Sequence, residues 1–195
     1  MLLWTIQAVD AWKKFQQSGV LSGKRQYVDP YFLDAYQWLV EQMKTRIGPQ
    51  PESDAFPIWA WYQWEGRKKK PDLRSGGYLP KGEWGVSIEF EVCDKRVLLS
   101  DFDLWHYVLN YWYLPRSLAE GDRFEAELAE RGLSFYASKP LPDINYHRQI
   151  VESWQRIFDL DWHEEEITAR PKSIQATLWE LRLDDVRAIR TFKAR

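Results

Sequence analysis

An alternation of apolar and polar residues at 86–92 places the strongest constraint on how this chain can fold. Val86, Ile88, Phe90 and Val92 are apolar, while the residues between them are a serine and two glutamates. Because successive side chains of a strand point to opposite faces of a sheet, this pattern predicts a strand with one buried and one polar face. The chain must therefore build a sheet, and its other segments have to supply the partner strands.

The residues that follow this strand predict a hairpin and a helix. Asp94-Lys95 is typical of a turn, and residues 97–99 predict a short strand that returns beside the first one. Ser100-x-x-Asp103 has the form of a capping box, and apolar residues then recur at helical spacing as far as Pro115. We therefore expect a hairpin over 86–99 and a helix between Ser100 and Pro115.

Strands and helices are also predicted on both sides of this stretch. The segments MLLWTIQ, PIWAWYQW and SIQATLWEL predict strands, and a last short strand is expected near 189–192. Helices are predicted before Gly19, from Asp29-Pro30 to Gly48, over 122–132 and from Asp143 onward. The expected fold is one α+β domain over residues 1–195, with a split or strongly curved, mainly antiparallel sheet flanked by helices.

Composition narrows the functional classes. Lys+Arg 27 against Asp+Glu 29 gives a net charge of −2, so a nucleic acid could be bound only through a local patch. The single cysteine, Cys93, excludes an internal disulfide. The N-terminal apolar run is too short for a signal peptide, and no segment is long and apolar enough for a membrane helix. We therefore expect a cytoplasmic protein without membrane contact; its oligomeric state is open.

The sequence offers little support for a metal site or a cysteine nucleophile. His163 and Glu166 are three residues apart, but no second cluster completes a coordination shell, so no metal is expected. Cys93 has no histidine nearby and is interpreted as a bystander thiol.

Two acidic groups have structural explanations that we favour over catalysis. Asp101 and Asp103, with His106 one turn later, could form an acid–base cluster, but the start of a helix accounts for both carboxylates. Glu89 and Glu91 share one strand face, which is typical of a solvent-facing polar stripe. Glu91 and Asp103 are kept as reserve candidates.

A basic loop beside three tryptophans is a candidate surface for nucleic acid. Five basic residues lie at 67–74, close to Trp59, Trp61 and Trp64. Cations can bind phosphates and flat rings can stack on bases, so this combination suits a nucleic-acid acceptor. The alternative is a solvated, mobile loop, with at least one face of the tryptophan strand in the core.

Several blocks of the chain resemble a known family. The segments MLLWTIQ, PIWAWYQW, IEFEV…VLLSDFDLWHYVLN and SIQATLWEL are together similar to a prokaryotic family known as domain of unknown function 3841. This resemblance spans almost the whole chain. It implies no activity.

A second resemblance concerns the two ends of the chain. LWTIQ, a helix and SGVLSG are similar to the opening of ADP-ribosyltransferase-like toxins that modify DNA, with Thr5 in the motif and Leu3 where those enzymes carry histidine. The C-terminal IQATLWEL is similar to their strand that supplies a ribose-binding glutamate. Here the triplet is Gln175-Ala176-Thr177, and Glu180 would lie on the opposite face of a regular strand.

This resemblance implies an ADP-ribosyltransferase-like fold, NAD as a substrate and a set of site residues. Thr5 and Gln7 would hold the nicotinamide, Tyr36 would stack on it, and Arg25 would meet a phosphate. Gln175 and Glu180 would address the ribose as catalytic residues, and Trp61 and Arg74 would bind a nucleic-acid or protein acceptor. Since the triplet lacks its glutamate, three alternatives stay open: Glu180 reaches the site through a bulge, Glu91 substitutes, or the nucleotide is bound without turnover. The rival hypothesis is a non-catalytic module that binds nucleic acid or protein through the tryptophan face and the basic loop.

Overall fold

The computed structural model describes residues 1–162 and 171–195, which form α-helices and two β-sheets. The strands are β1 (Leu2–Ala8), β2 (Val20–Lys24), β3 (Ala55–Phe56), β4 (Ile58–Gln63), β5 (Trp84–Glu91), β6 (Leu98–Asp101), β7 (Ile174–Leu178), β8 (Glu180–Arg182) and β9 (Val186–Lys193). The α-helices are α1 (Val9–Ser18), α2 (Leu33–Ile47), α3 (Phe102–Leu109), α4 (Leu118–Glu130) and α5 (Ile144–Ser153). The predicted fold class, α+β with a split and mainly antiparallel sheet flanked by helices, is confirmed.

The chain groups into two compact units. Unit 1 comprises Met1–Leu99 and Ser173–Arg195, and unit 2 comprises Ser100–Lys172. Helices α1 and α2 belong to unit 1, and helices α3, α4 and α5 belong to unit 2. That residues 1–195 form one domain stays a prediction.

A six-stranded sheet, with the strand order β6-β7-β4-β1-β5-β9, carries the core of unit 1 on one of its faces. Apolar residues at alternate positions of four strands form this core face, and Phe15 of α1 packs against them. They are Leu3, Ile58, Ala60, Val86, Ile88, Phe90, Ala176 and Leu178. The predicted alternation in β5 is confirmed, because Val86, Ile88 and Phe90 are all fully buried.

The second sheet arises because two neighbouring strands of the first one separate. The last paired residues of β4 and β7 are Ile58 and Leu178. Strand β3 precedes β4 and is separated from it by Pro57, and strand β8 follows β7 and is separated from it by Trp179. Strand β2 lies between β3 and β8, in the order β3-β2-β8. The split of the sheet is therefore the point where β2 inserts between two diverging strands.

Gly23 permits this insertion. It pairs with Phe56, and a Cβ atom at Gly23 would lie 2.5 Å from the Phe56 carbonyl oxygen and 2.8 Å from that of Pro57. Any side chain would push β2 away from β3.

The two helices of unit 1 follow the sequence prediction closely. Helix α1 ends at Gly19, whose φ of 75° is the left-handed conformation that glycine adopts at low cost. Asp29 accepts a hydrogen bond from the Tyr31 amide at the start of a 3₁₀ turn, Pro30–Phe32, which leads into α2. The predicted helix from Asp29 to Gly48 therefore begins with a 3₁₀ turn.

The predicted hairpin over 86–99 is wrong. Strand β5 pairs with β1 along one edge and with β9 along the other, so neither edge is left for β6. A 3₁₀ turn, Asp94–Arg96, connects β5 to β6, which lies at the far edge of the sheet beside β7. Three strands separate the two segments that the sequence would pair.

In unit 2, helix α3 differs from its prediction at both ends. Asp101, and not Ser100, caps it, by accepting hydrogen bonds from the Asp103 and Leu104 amides. The helix ends at Leu109, well before Pro115, because Tyr111 adopts a φ of 60°. The Trp112 amide then donates to the Tyr107 carbonyl at 2.8 Å, which closes the helix as a Schellman motif.

The other helices of unit 2 are capped by side chains. Ser117 caps α4, which therefore starts earlier than the predicted 122–132 segment. Asp143 caps α5, as predicted, by accepting from the Asn145 amide. The apolar pattern of α5 continues into a 3₁₀ helix, Trp154–Phe158.

Candidate functional site

A cavity of about 690 Å³ opens in unit 1 where the two sheets separate. The end of β1, the inner side of α1, strand β2 and the Phe56–Pro57 crossing form its walls, and α2 contributes Tyr36. Its volume falls within the roughly 300–1,000 Å³ of small-molecule sites. We refer to it as the split-sheet cavity.

A short hydrogen-bond chain fixes the amide of Gln7 on the wall of this cavity. The Thr5 hydroxyl donates to the Trp59 carbonyl at 2.7 Å, so its oxygen is left to accept from Gln7 Nε2 at 2.9 Å. This order of donors and acceptors determines which end of the amide faces Thr5. Among the described residues nothing else bonds to the Gln7 side chain, so its carbonyl oxygen and second N–H are available to a ligand, while Thr5 is buried behind it.

Aromatic rings cover another part of the cavity wall. The Tyr36 and Trp59 rings meet edge to face, with centroids 6.1 Å apart. Burial raises the pKa of the Tyr36 phenol. Tyr27 adds a third ring, which is 73% exposed at the rim. These rings offer flat surfaces to a planar ligand.

Three cationic side chains lie in or near the cavity. Two of them, Lys14 and Arg25, have no carboxylate partner among the described residues, and the third is Lys24. Lys24 forms ion pairs with Glu52 and Asp54, and the hydrogen bonds to these carboxylates raise its pKa. Lys14 lines the split-sheet cavity, and Arg25 lines a neighbouring cavity of about 460 Å³. Val28 lines both cavities, so the two sites are adjacent.

The structure does not bring Gln175 to this cavity. Gln175 pairs with Trp61, and Trp61 with Trp4, so these side chains share the face of the sheet opposite the core. Strand β4 lies between β7 and β1, and the sheet order therefore separates Gln175 from Thr5 by one strand.

Glu180 does not line the split-sheet cavity, but its strand partner does. The break at Trp179 moves Glu180 out of the six-stranded sheet and into β8, directly opposite Ser22. Ser22 lines the split-sheet cavity, whereas Glu180 lines a smaller cavity of about 180 Å³ with Arg96. Its carboxylate has a distant ion pair with Arg182 at 4.0 Å.

Glu89 and the reserve candidate Glu91 accept hydrogen bonds, and the reserve candidate Asp103 contributes its backbone amide to the cap of α3. Glu89 accepts a hydrogen bond from Trp4 Nε1 at 2.7 Å, and Glu91 accepts one from Arg187 Nε at 3.3 Å. The Asp103 amide donates to the capping Asp101. Cys93 is exposed and lies before the 3₁₀ turn, not in a hairpin.

The two residues expected to bind the acceptor molecule are Trp61, in β4, and Arg74, in the segment 64–83. This segment contains no helix and only an isolated bridge between Trp64 and Arg67. The Trp61 and Trp64 rings meet edge to face at 4.6 Å. Arg74 is held by Asp72 in a 2.8 Å ion pair, and Lys69 by Glu65 at 3.2 Å. Part of the positive charge of this loop is therefore balanced locally.

Residues 1–162 and 171–195 contain no group of three or more His, Cys, Asp or Glu side chains that could hold a metal ion. The pair His163 and Glu166, which the sequence offered as a candidate, lies outside the described residues.

Sequence reasoning missed three contributors to the cavity. Gly23 had a signal, because a glycine inside a short strand often marks a close backbone approach. Trp59 was assigned only to the tryptophan face, since strand alternation cannot show that β4 begins at a cavity. Lys14 is one of two adjacent lysines on α1, and nothing in the sequence distinguishes it from Lys13.

None of the α-helices in the described residues combines the length and the hydropathy that crossing a membrane requires.

Comparisons with known proteins identify the family alone. No curated protein matches the chain, and no solved structure matches it either. The profile of the family described as a domain of unknown function (DUF3841) matches residues 2–187, and the chain belongs to this family.

Proposed function

We propose that this protein binds NAD in the split-sheet cavity and acts as an ADP-ribosyltransferase-like enzyme on a nucleic-acid or protein acceptor. One observation carries the proposal. Gln7 and Tyr36, which the resemblance assigns to the nicotinamide end of NAD, line the same cavity although they are far apart in sequence. Thr5, assigned with them, holds Gln7 in place.

The amide of Gln7 has the right chemistry for a nicotinamide. It presents one carbonyl acceptor and one N–H donor, because Thr5 occupies its other N–H. A primary carboxamide such as that of nicotinamide offers the complementary donor and acceptor, so two hydrogen bonds can form side by side. Tyr36 and Trp59 supply the flat surface for the ring.

The cations support binding of the diphosphate. Arg25 is exposed in the adjacent cavity, next to Val28, and its guanidinium suits bidentate contact with phosphate oxygens. Lys14 provides a second positive charge in the split-sheet cavity itself. The nicotinamide would then occupy the split-sheet cavity and the phosphates would extend towards Arg25.

The transfer requires a carboxylate, and Glu180 is the candidate with the best position. In the reaction the bond between the nicotinamide nitrogen and the ribose C1′ breaks, and its electron pair leaves with nicotinamide. The acceptor nucleophile bonds to C1′ and loses a proton. A carboxylate stabilises the positive charge that develops on the ribose. The described lining of the split-sheet cavity contains no acidic residue, and Glu180 pairs directly with Ser22, which lies on its wall.

Calorimetry with NAD and a nicotinamide-release assay test the proposal. We expect Gln7→Ala to weaken NAD binding by about tenfold, the value of one or two lost hydrogen bonds. Gln17→Ala, on the exposed side of α1, is the matched control and should bind as the wild type does. Glu180→Gln should retain NAD but stop nicotinamide release. A wild-type protein that neither binds NAD nor releases nicotinamide would refute the proposal.

Gln175→Ala separates the two sequence-based catalytic candidates. Its side chain lies on the sheet face opposite the core, beside Trp61, so we expect this variant to keep both binding and release. Loss of release with retained binding would instead make Gln175 the catalytic group.

A second candidate function is a non-catalytic module that binds nucleic acid or protein through the tryptophan face. It is favoured by the edge-to-face contact of the Trp61 and Trp64 rings, which lies beside the basic loop. Replacing Lys68, Lys69 and Lys70 by glutamine should weaken a nucleic-acid complex and flatten its dependence on salt. Binding that is absent, or independent of salt, would contradict this function.

A further inference from the structure

A second cavity, of about 330 Å³, lies within unit 2. Its lining is rich in aromatic rings, and three large apolar side chains in it are unusually exposed: Trp112 at 36%, Leu118 at 60% and Tyr136 at 84%. Such side chains are normally scattered over a protein surface, and their concentration in one concave site indicates a binding function. We refer to this site as the aromatic cavity.

The aromatic rings of the cavity pack against one another in pairs. Tyr113 stacks on Phe124 with centroids 4.0 Å apart and planes inclined by 13°. Tyr107 and Trp112 lie nearly perpendicular to each other, at 83°. Tyr136 stands at 85° to its buried neighbour Phe135. The ring surfaces left to a ligand are therefore chiefly those of the exposed Trp112 and Tyr136, because Tyr113 is stacked on Phe124 and the Arg156 guanidinium lies 5.9 Å from its ring centre.

Two carboxylates give the aromatic cavity its charge. Asp122 and Glu125 lie one turn apart on α4, both line the cavity, and neither forms an ion pair within residues 1–162 and 171–195. Glu120, on the same helix, is already occupied, because it accepts from the Tyr113 hydroxyl at 2.8 Å and lies 3.8 Å from Arg156. None of the described residues that line the cavity is basic.

We propose that the aromatic cavity binds an organic ammonium ion that carries methyl groups, either free or at the end of a methylated lysine side chain. Aromatic faces attract a cation through their quadrupoles, and methyl groups bury apolar area against the same rings. The carboxylates of Asp122 and Glu125 add attraction and would repel a phosphate or carboxylate ligand. This inference does not depend on NAD binding in unit 1.

Calorimetric titrations of the full chain with choline and with its neutral analogue 3,3-dimethylbutan-1-ol test the proposal, because the two molecules differ mainly by charge. We expect choline to bind at least about tenfold more tightly, as aromatic sites favour the cation. A peptide with trimethyllysine, compared with the same peptide unmodified, distinguishes the sources: tighter binding of the methylated peptide than of choline identifies a protein ligand, and the reverse order identifies a free one.

Variants locate the binding in the aromatic cavity. Trp112→Ala should weaken choline binding about fivefold or more, the scale of a lost cation–π contact. The double variant Asp122→Asn, Glu125→Gln keeps every ring and should weaken it as well, so the test holds even if Trp112→Ala fails to fold. Glu127→Gln, an exposed residue of α4 outside the cavity, is the control. Any one of three results overturns the proposal. Choline and its neutral analogue bind with equal affinity, the folded variants bind choline as the wild type does, or neither choline nor the trimethyllysine peptide saturates the protein by about 10 mM.

Discussion

Replacing Gly23 by alanine tests whether the insertion of β2 creates the split of the sheet. The φ angle of Gly23 lies outside the left-handed region, so alanine can adopt its backbone conformation, and only space is at issue. The new Cβ atom would lie 2.5 Å from the Phe56 oxygen, whereas ordinary contacts begin at 3.4 Å. The difference, 3.4 − 2.5, means that β2 and β3 must separate by about 0.9 Å.

The expected cost follows from this displacement. A hydrogen bond of ordinary length, about 2.9 Å, would lengthen to roughly 3.8 Å and no longer count as one. The pairing of β2 with β3 consists of two residue pairs, Gly23–Phe56 and Lys24–Ala55, so the separation would disturb the whole of it. Overpacking costs about 1–3 kcal/mol and each lost hydrogen bond about 1 kcal/mol. We expect the free energy of unfolding to fall by about 2–4 kcal/mol.

Urea unfolding, followed by tryptophan fluorescence and far-ultraviolet circular dichroism, measures this change. Gly76→Ala is the matched control, because a Cβ atom there would have its nearest neighbour at 3.9 Å. That variant should be neutral or more stable by up to about 1 kcal/mol, through the lower entropy of its unfolded chain. If NAD binds in the split-sheet cavity, as proposed, Gly23→Ala should also abolish that binding in calorimetry, since Gly23, Phe56 and Pro57 line the cavity. If Gly23→Ala is as stable as Gly76→Ala, the reasoning is refuted.

Two tyrosines give further predictions. The Tyr111 hydroxyl accepts from the buried Leu141 amide at 2.9 Å and bonds to His147 Nδ1 at 2.8 Å, so Tyr111→Phe should cost about 1–3 kcal/mol in urea unfolding; an effect no larger than that of Tyr136→Phe, in an exposed ring, would contradict this. Burial first, and then the charges of Asp72 and Glu65, raise the pKa of Tyr78 to about 12 from 10.0, so the folded state is disfavoured as pH rises between these values. The Tyr78 hydroxyl is buried without a hydrogen-bond partner in the described residues, so Tyr78→Phe should be no less stable at pH 7 and should lose stability less steeply from pH 10 to 12; an unchanged slope would argue against this assignment.

Local chemistry made many elements of this fold predictable. The alternation of Val86, Ile88 and Phe90 sets the buried face of β5 because a strand has a period of two residues. Gly19 ends α1 because only the left-handed conformation closes the helix there, and Asp143 starts α5 because its carboxylate can accept a free amide. Each of these decisions is made by residues that are neighbours in sequence.

Strand pairing was less predictable because it depends on competition among distant segments. A turn at Asp94-Lys95 is compatible with a hairpin, yet β1 and β9 occupy both edges of β5. The end of α3 failed for a related reason: Tyr111 adopts a conformation that favours glycine, and its hydroxyl bonds to Leu141 and His147, more than twenty residues away, hold it there. No local pattern carries that information.

The residues of the candidate site could be predicted from the sequence only in part. Gln7 and Tyr36 could be named from sequence, although only through the resemblance, and β1 and α2 place both of them on the wall of one cavity. The choice between Gln175 and Glu180 could not be made from sequence, because it depends on what happens to the strand between them. In a continuous strand, residues five apart face opposite sides of one sheet.

The break at Trp179 is what changes the relation between these two residues. Trp179 is buried and its indole donates to the Gly48 carbonyl at 3.0 Å, which ties the crossing point of the chain to the end of α2. Beyond it Glu180 no longer belongs to the sheet of Gln175 but pairs with Ser22 of β2. The strands diverge at this point, and β2 lies in the gap and forms part of the cavity wall. The same divergence therefore also places the Glu180 residue of β8 beside β2. Under the proposed function, ligand binding and the position of the catalytic carboxylate would share this one structural cause.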